Sequence, residues 1–147
     1  MKNNYYYSGN GIQLTEHEEG LRLTAYQDSG GIWTIGVGHT GPDVYPGQTI
    51  TREEAQDLLM QDIRFAANAV NNLVQVEITQ NEFDALTDFV FNVGVNNFAN
   101  STLLKKLNLG DFAGAAAEFP RWDKVHGVTV AGLLQRRINE EKLFGDA

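Results

Sequence analysis

At 147 residues, 42% of them hydrophobic and 20% charged, the chain has the size and balance of one folded globular domain rather than a disordered segment. Nineteen acidic against 11 basic residues leave a formal charge of −8, which repels phosphate backbones and argues against a nucleic-acid partner. The absence of cysteine excludes disulfides, thiol nucleophiles and Cys-ligated metals, and no apolar run approaches a membrane span, so stable membrane insertion is not expected.

The opening "MKNNYYYSGNG" carries one lysine and no apolar h-region, so it does not read as a secretory signal. Residues 1–9 read as a flexible, polar lead-in. A short helix is expected from Gly11 to Glu19, with Ile12 and Leu14 as apolar contacts. It stops at Gly20, where a residue without a β-carbon takes the left-handed turn that ends helices. In "LRLTAYQD", Leu21, Leu23 and Ala25 alternate with Arg22, Thr24 and Tyr26. "DSGG" supplies turn chemistry and "IWTIGVGH" resumes with β-branched and aromatic residues, which together predict a β-hairpin.

After the loop "TGPDVYPGQT" the reading is helical. Thr51 to Glu54 fits a capping box, and Ala55, Leu58, Leu59, Ile63, Ala66, Val70 and Leu73 follow at helical spacing. Thr79 to Glu82 is a second box, opening a helix that ends at Gly94. A short helix from Ser101 or Thr102 closes at Gly110. Asp111 to Phe119 is an Ala-rich helix stopped by Pro120, and Gly132 to Phe144 is the last. No repeat or linker divides the chain, so residues 1–147 read as a single α+β domain, with a small sheet and a helical bundle facing each other across a cleft.

Three residues stand out around the hairpin. Glu19 falls in the last turn of its helix, beside unpaired carbonyls and near Glu16 and Glu18, an arrangement that resists a further negative charge and suits a proton donor. Asp28 sits at the turn and Thr34 in the second strand. Singly, each has an ordinary explanation: a solvated helix end, a turn-capping aspartate, a good strand former. Together, two carboxylates in unlike surroundings with a hydroxyl able to hold a water are the minimum equipment for glycoside hydrolysis. His17, His39 and His126 show no metal-ligand spacing, and His39 reads as a structural hydrogen-bonding residue, so neither metal nor cofactor is expected.

The spacing from Glu19 to Asp28 to Thr34, eight residues and then five between them, resembles the signature of the phage-type lysozymes, the endolysin muramidases of glycoside hydrolase family 24. "EGLRLTAYQD…GIWTIGVGHTG" is similar to that family nearly residue by residue. "QNEFDALTDFVFNVG", "STLLKKLNLGDFAGAAAEFPRW" and "AGLLQRRINEEKLF" extend the resemblance to the end of the chain. It implies a lysozyme-like fold and hydrolysis of the β-1,4 bond between N-acetylmuramic acid and N-acetylglucosamine in bacterial peptidoglycan, without a cofactor. It also implies Glu19 as general acid, and Asp28 with Thr34 as the groups that position and activate water or stabilise developing positive charge.

With Thr34 available to hold a water, inversion of the anomeric centre is expected. Asn92 matches a position where relatives contact the sugar. Trp122 reads as either a sugar platform or a core side chain. The chain departs from common family usage at Glu18 and Thr15. Glu18 is a candidate partner for Arg136 or Arg137, which otherwise read as surface arginines helped by Glu140 and Glu141. The resemblance further implies an endolysin held in the host cytoplasm until a separate pore-forming protein releases it, and the chain is expected to be a monomer. A catalytically silent module binding cell wall or protein, and a lytic transglycosylase, are the competing readings.

Overall fold

The computed structural model describes residues 3–146. Helices dominate, with one small antiparallel sheet near the start, so the α+β class is the one observed. The chain forms two compact units. One takes Thr15–Arg64, and the other takes the described residues on either side of that stretch.

Helix α1 spans Gly9–Glu19, two residues earlier at its start than the sequence predicts. Ser8 precedes it and accepts the Ile12 N–H at 2.9 Å. Gly20 ends it, with φ of +79° and its N–H on the Glu16 carbonyl at 2.8 Å.

Within Thr15–Arg64, strands β1 (Arg22–Gln27), β2 (Trp33–Gly36) and β3 (His39–Thr40) make a three-stranded antiparallel sheet in sequence order. Tyr26 faces Thr34, and Thr34 faces Thr40, so Thr34 lies on the central strand. The predicted alternation of β1 does not translate into a buried face. Leu23 is 39% exposed, and most of the strand faces solvent. Instead β1 is held from its other edge: Ala25 donates to Gln48 and Ile50 to Leu23, both at 2.9 Å. Helix α2 (Arg52–Asp62) starts on the expected Thr51–Glu54 capping box and packs against β2. Ile35, Val37, Ala55, Leu59 and Ile63 form the local core.

The predicted continuous helix through residues 55–73 is two helices. Ile63 caps α2, and α3 (Arg64–Leu73) begins immediately after it. Apolar spacing runs through the break, which is why pattern alone missed it. Helix α4 (Gln80–Val93) opens on the second capping box, and every residue from Phe83 to Val90 is buried. Helices α5 (Val95–Ala99), α6 (Thr102–Asn108) and α7 (Phe112–Glu118) follow. Pro120 does not simply stop α7 but sits inside a 3-10 turn, Phe119–Arg121. A two-stranded ribbon, β4 (Lys124–Val125) and β5 (Val128–Thr129), precedes α8 (Ala131–Phe144), which packs along α4. Phe89 anchors this unit, its ring 5.4 Å from Phe119, 5.7 Å from Trp122 and 6.3 Å from Phe98 in edge-on contacts.

The lead-in expected over residues 1–9 is described from Asn3 onward, and its first two residues lie outside the described residues. Asn3 is 6% exposed and donates to the Val76 carbonyl at 2.8 Å. The Tyr5 backbone exchanges two hydrogen bonds with Asn71, and the Tyr5 hydroxyl donates to Ile78. Ser8 donates to the buried Asp84 through both its backbone N–H and its hydroxyl. A polar composition reads as loose from sequence, but here Asn3, Tyr5 and Ser8 find specific partners.

Candidate active site

Asp28 closes the turn between β1 and β2. Its Oδ1 accepts the N–H groups of Gly30 at 2.8 Å and Ile32 at 2.9 Å, an Asx-type turn in which the side chain replaces a backbone acceptor. The Asp28 N–H donates in return to the Ile32 carbonyl at 2.9 Å. Among the described residues Asp28 Oδ2 accepts no hydrogen bond, and the residue is exposed.

Thr34 is 4% exposed, and its hydroxyl donates to that same Ile32 carbonyl at 3.0 Å. The backbone of Ile32 therefore ties the two side chains together through two successive peptide units. Its N–H holds Asp28, and its carbonyl takes the Thr34 proton. With its hydrogen committed, the Thr34 oxygen presents lone pairs and acts toward a further group as an acceptor.

Glu19 reaches this sheet from the end of α1. Its carboxylate lies against Gly38 in the turn joining β2 to β3, and a methyl group built on Gly38 would stand 2.8 Å from Glu19 Oε1. Thr40 faces Thr34 across the sheet, and Gly38 lies two residues from Thr40 along the chain. All three residues thus belong to one unit and one three-stranded sheet with its adjoining helix end. The expected crowding of acids around Glu19 is partly relieved. Glu16 accepts from Gln56 at 3.3 Å and stands 3.8 Å from Arg52.

His39, the residue after Gly38, is clamped from both ring nitrogens. Nδ1 meets Asp62 at 2.7 Å, and Nε2 meets Asp43 at 2.9 Å. Burial works to lower its pKa, but the hydrogen bonds and charges of Asp62 and Asp43 together raise it above the ordinary 6.5. The hydrogen bond to His39 holds Asp43 below its ordinary value. His39 is thereby a cross-brace between β3, the following loop and the end of α2, held by both ring nitrogens.

The remaining candidates lie in the other unit. Asn92 is exposed at the end of α4, and its Oδ1 accepts from Arg137 Nη2 at 2.9 Å, which leaves its NH₂ group for other acceptors. The Trp122 ring is half-buried and engaged edge-on with Phe89.

The reading of Arg136 and Arg137 as surface residues is corrected. Arg136 is 6% exposed and forms a bidentate pair with Asp88, at 3.0 Å and 2.9 Å, while Arg137 is fully buried beside Glu140. Arg137 Nε stands 2.8 Å from Glu140 Oε1 at an angle too poor for a hydrogen bond, and Nη2 makes the better bond to Oε2 at 3.1 Å. Burial and the neighbouring Asp88 push the Glu140 carboxyl well up, against the pull of Arg137 and Arg136. The "RR..E" spacing is legible as a helix-surface pattern. Only the burial of α4 reveals that it packs inward.

Two surface depressions, of about 240 and 490 Å³, are lined by Phe112 and Phe144 in one case and by Leu104 and Leu109 in the other. None of the hairpin trio lines either.

The chain matches the family model described as phage lysozyme over residues 16–140. It belongs to the phage lysozyme family. It is 45% identical over 144 residues to the endolysin of Acyrthosiphon pisum secondary endosymbiont phage 1, covering 95% of this chain and 98% of that one. A mutant of P22 lysozyme superposes with a TM-score of 0.90 at 43% identity, over 97% of this chain and all of the other. The endolysin of Escherichia coli O157:H7 phage FAHEc1 gives a TM-score of 0.93 at 37% identity, with 99% and 97% covered. As a phage lysozyme the chain is a glycoside hydrolase, and its mixed helical and small-sheet fold is that of its relatives.

Proposed function

We propose that this muramidase cleaves the β-1,4 bond between N-acetylmuramic acid and N-acetylglucosamine of bacterial peptidoglycan by direct displacement with water, using Glu19, Asp28 and Thr34. Glu19 gives its proton to the glycosidic oxygen as the bond to the anomeric carbon breaks. A water attacks that carbon from the opposite side of the ring and loses a proton to Asp28, so the product is inverted. Glu19 recovers a proton from solvent, and Asp28 releases one.

The observation that carries this reading is the shared backbone of Ile32. It fixes Asp28 and Thr34 in one frame and takes up the Thr34 hydrogen, so both residues offer acceptors to a single water. A water that donates to Asp28 Oδ2 and Thr34 Oγ1 has its lone pair turned outward, toward a sugar. No metal is needed in this scheme. The exposed NH₂ group of Asn92 suits the carbonyl of an N-acetyl group. Trp122 contributes through packing on Phe89.

The proposed setting is a monomer that collects in the host cytoplasm and reaches the wall once a separate protein opens the membrane. The endolysin names of its relatives support this setting. Among the described residues no helix is long and apolar enough to cross a membrane.

Clearing of a purified peptidoglycan suspension by the wild type, and its loss in Glu19→Gln, tests the assignment. Equal clearing by both proteins would sink it. Mass spectrometry of the products separates hydrolysis from transglycosylation, whose anhydro ends weigh one water less. Product anomers read by NMR decide between inversion and retention.

A further inference from the structure

We propose that Gly38 is a positioning residue for the Glu19 carboxylate, setting where the proton donor stands. The role rests on the assignment of Glu19 as the acid.

The turn joining β2 to β3 has two glycines in the left-handed region, Gly36 at φ +68° and Gly38 at φ +70°. Between them Val37 is 1% exposed, so the turn is anchored in the core and cannot drift to make room for a neighbour. Either glycine could be present for its backbone angle alone. Their surroundings distinguish them. A methyl group on Gly36 would meet Ala55 at 3.5 Å and Ile50 at 3.6 Å, ordinary contact distances. A methyl group on Gly38 would stand 2.8 Å from Glu19 Oε1, 3.4 Å from Cδ and 3.6 Å from Cβ. The carboxylate therefore occupies the volume that any side chain at position 38 would claim.

What must yield in that collision is the far end of a flexible side chain, not the backbone. The fold tolerates it, and the carboxylate swings away. Gly38 is thus a wall against which Glu19 rests, and its missing side chain fixes the reach of the acid. A shift of this kind acts on the proton-transfer step, where a displacement near 1 Å costs about 100-fold. Binding of the glycan elsewhere is untouched.

The pair of glycines supplies its own control. Gly36→Ala and Gly38→Ala impose the same backbone strain, but only the second touches Glu19. Gly38→Asn adds a β-carbon with a residue that accepts the left-handed region, so it separates displacement from strain if the alanine variant folds poorly. Steady-state rates on soluble peptidoglycan fragments should show kcat lower by about 100-fold in both Gly38 variants with KM near the wild-type value. The limb of the pH–rate profile that reports the acid should also move. Gly36→Ala should keep kcat and the profile while its Tm falls as far as that of Gly38→Ala.

Equal kcat losses at positions 36 and 38 would overturn the proposal, as would wild-type kcat and profile in Gly38→Asn while Glu19→Gln is inactive. Full activity of Glu19→Gln would instead remove the assignment of the acid itself.

Discussion

The His39 brace ties stability to pH in a direction set by its two aspartates. His39 replaced by Gln keeps a polar side chain of similar reach but removes the positive charge. The bond to Asp62, at 2.7 Å with Asp62 27% exposed, is charge-assisted and partly shielded, which places it near the low end of about 1.5–3 kcal/mol. Asp43 is 59% exposed, and solvent screening leaves its share small. The expected cost of His39→Gln is therefore about 2 kcal/mol where the brace is fully charged. Because the folded histidine pKa lies above 6.5, that contribution is complete below about pH 6.5 and disappears as the pH rises through the folded value. Because the folded Asp43 value lies below 3.8, its share is present above that pH and is lost on acidification through the folded value. Urea unfolding of both proteins, measured from about pH 4 to pH 9, should give a difference that is largest between about 4 and 6.5 and shrinks toward alkaline pH. NMR titration of the imidazole should show His39 releasing its proton above 6.5. A stability difference that stays flat or grows on the alkaline side would refute the argument.

Two further substitutions probe separate links. Thr34→Val keeps the shape of the buried side chain but deletes the hydroxyl on the Ile32 carbonyl; kcat should fall by about 100-fold, since an acceptor for the attacking water is lost, while Tm drops only modestly. Steady-state kinetics beside a thermal melt decide this, and unchanged kcat would remove Thr34 from the water site. Arg136→Met strips the bidentate partner from Asp88, which is fully buried, and should cost about 3–5 kcal/mol in urea unfolding. Adding Asp88→Leu should recover part of the loss, because the penalty comes from the stranded carboxylate.

Helix starts and stops are legible in the sequence because their signals are local. The capping boxes at Thr51 and Thr79 are fixed by residues three apart, and both form as read. Gly20 ends α1 for a reason visible in its own chemistry. What stayed hidden depends on partners distant in the chain. Asn3 and Tyr5 look like loose polar residues until residues 71–78 supply their hydrogen-bond partners. Arg136 and Arg137 look like a solvated helix face until α4, buried from Phe83 to Val90, places Asp88 against Arg136. For the candidate site, the spacing of Glu19, Asp28 and Thr34 is written in the sequence. The contact between Gly38 and Glu19 is not, because a glycine announces backbone freedom and says nothing of what fills the space it leaves.

The Ile32 backbone has a consequence for how this site can vary. Its N–H and carbonyl secure Asp28 and Thr34, yet its own side chain is 55% exposed. Almost any residue except proline can supply that amide and carbonyl. Position 32 is therefore free to drift in identity while remaining mechanically indispensable, and a comparison of side chains among homologues would undervalue it.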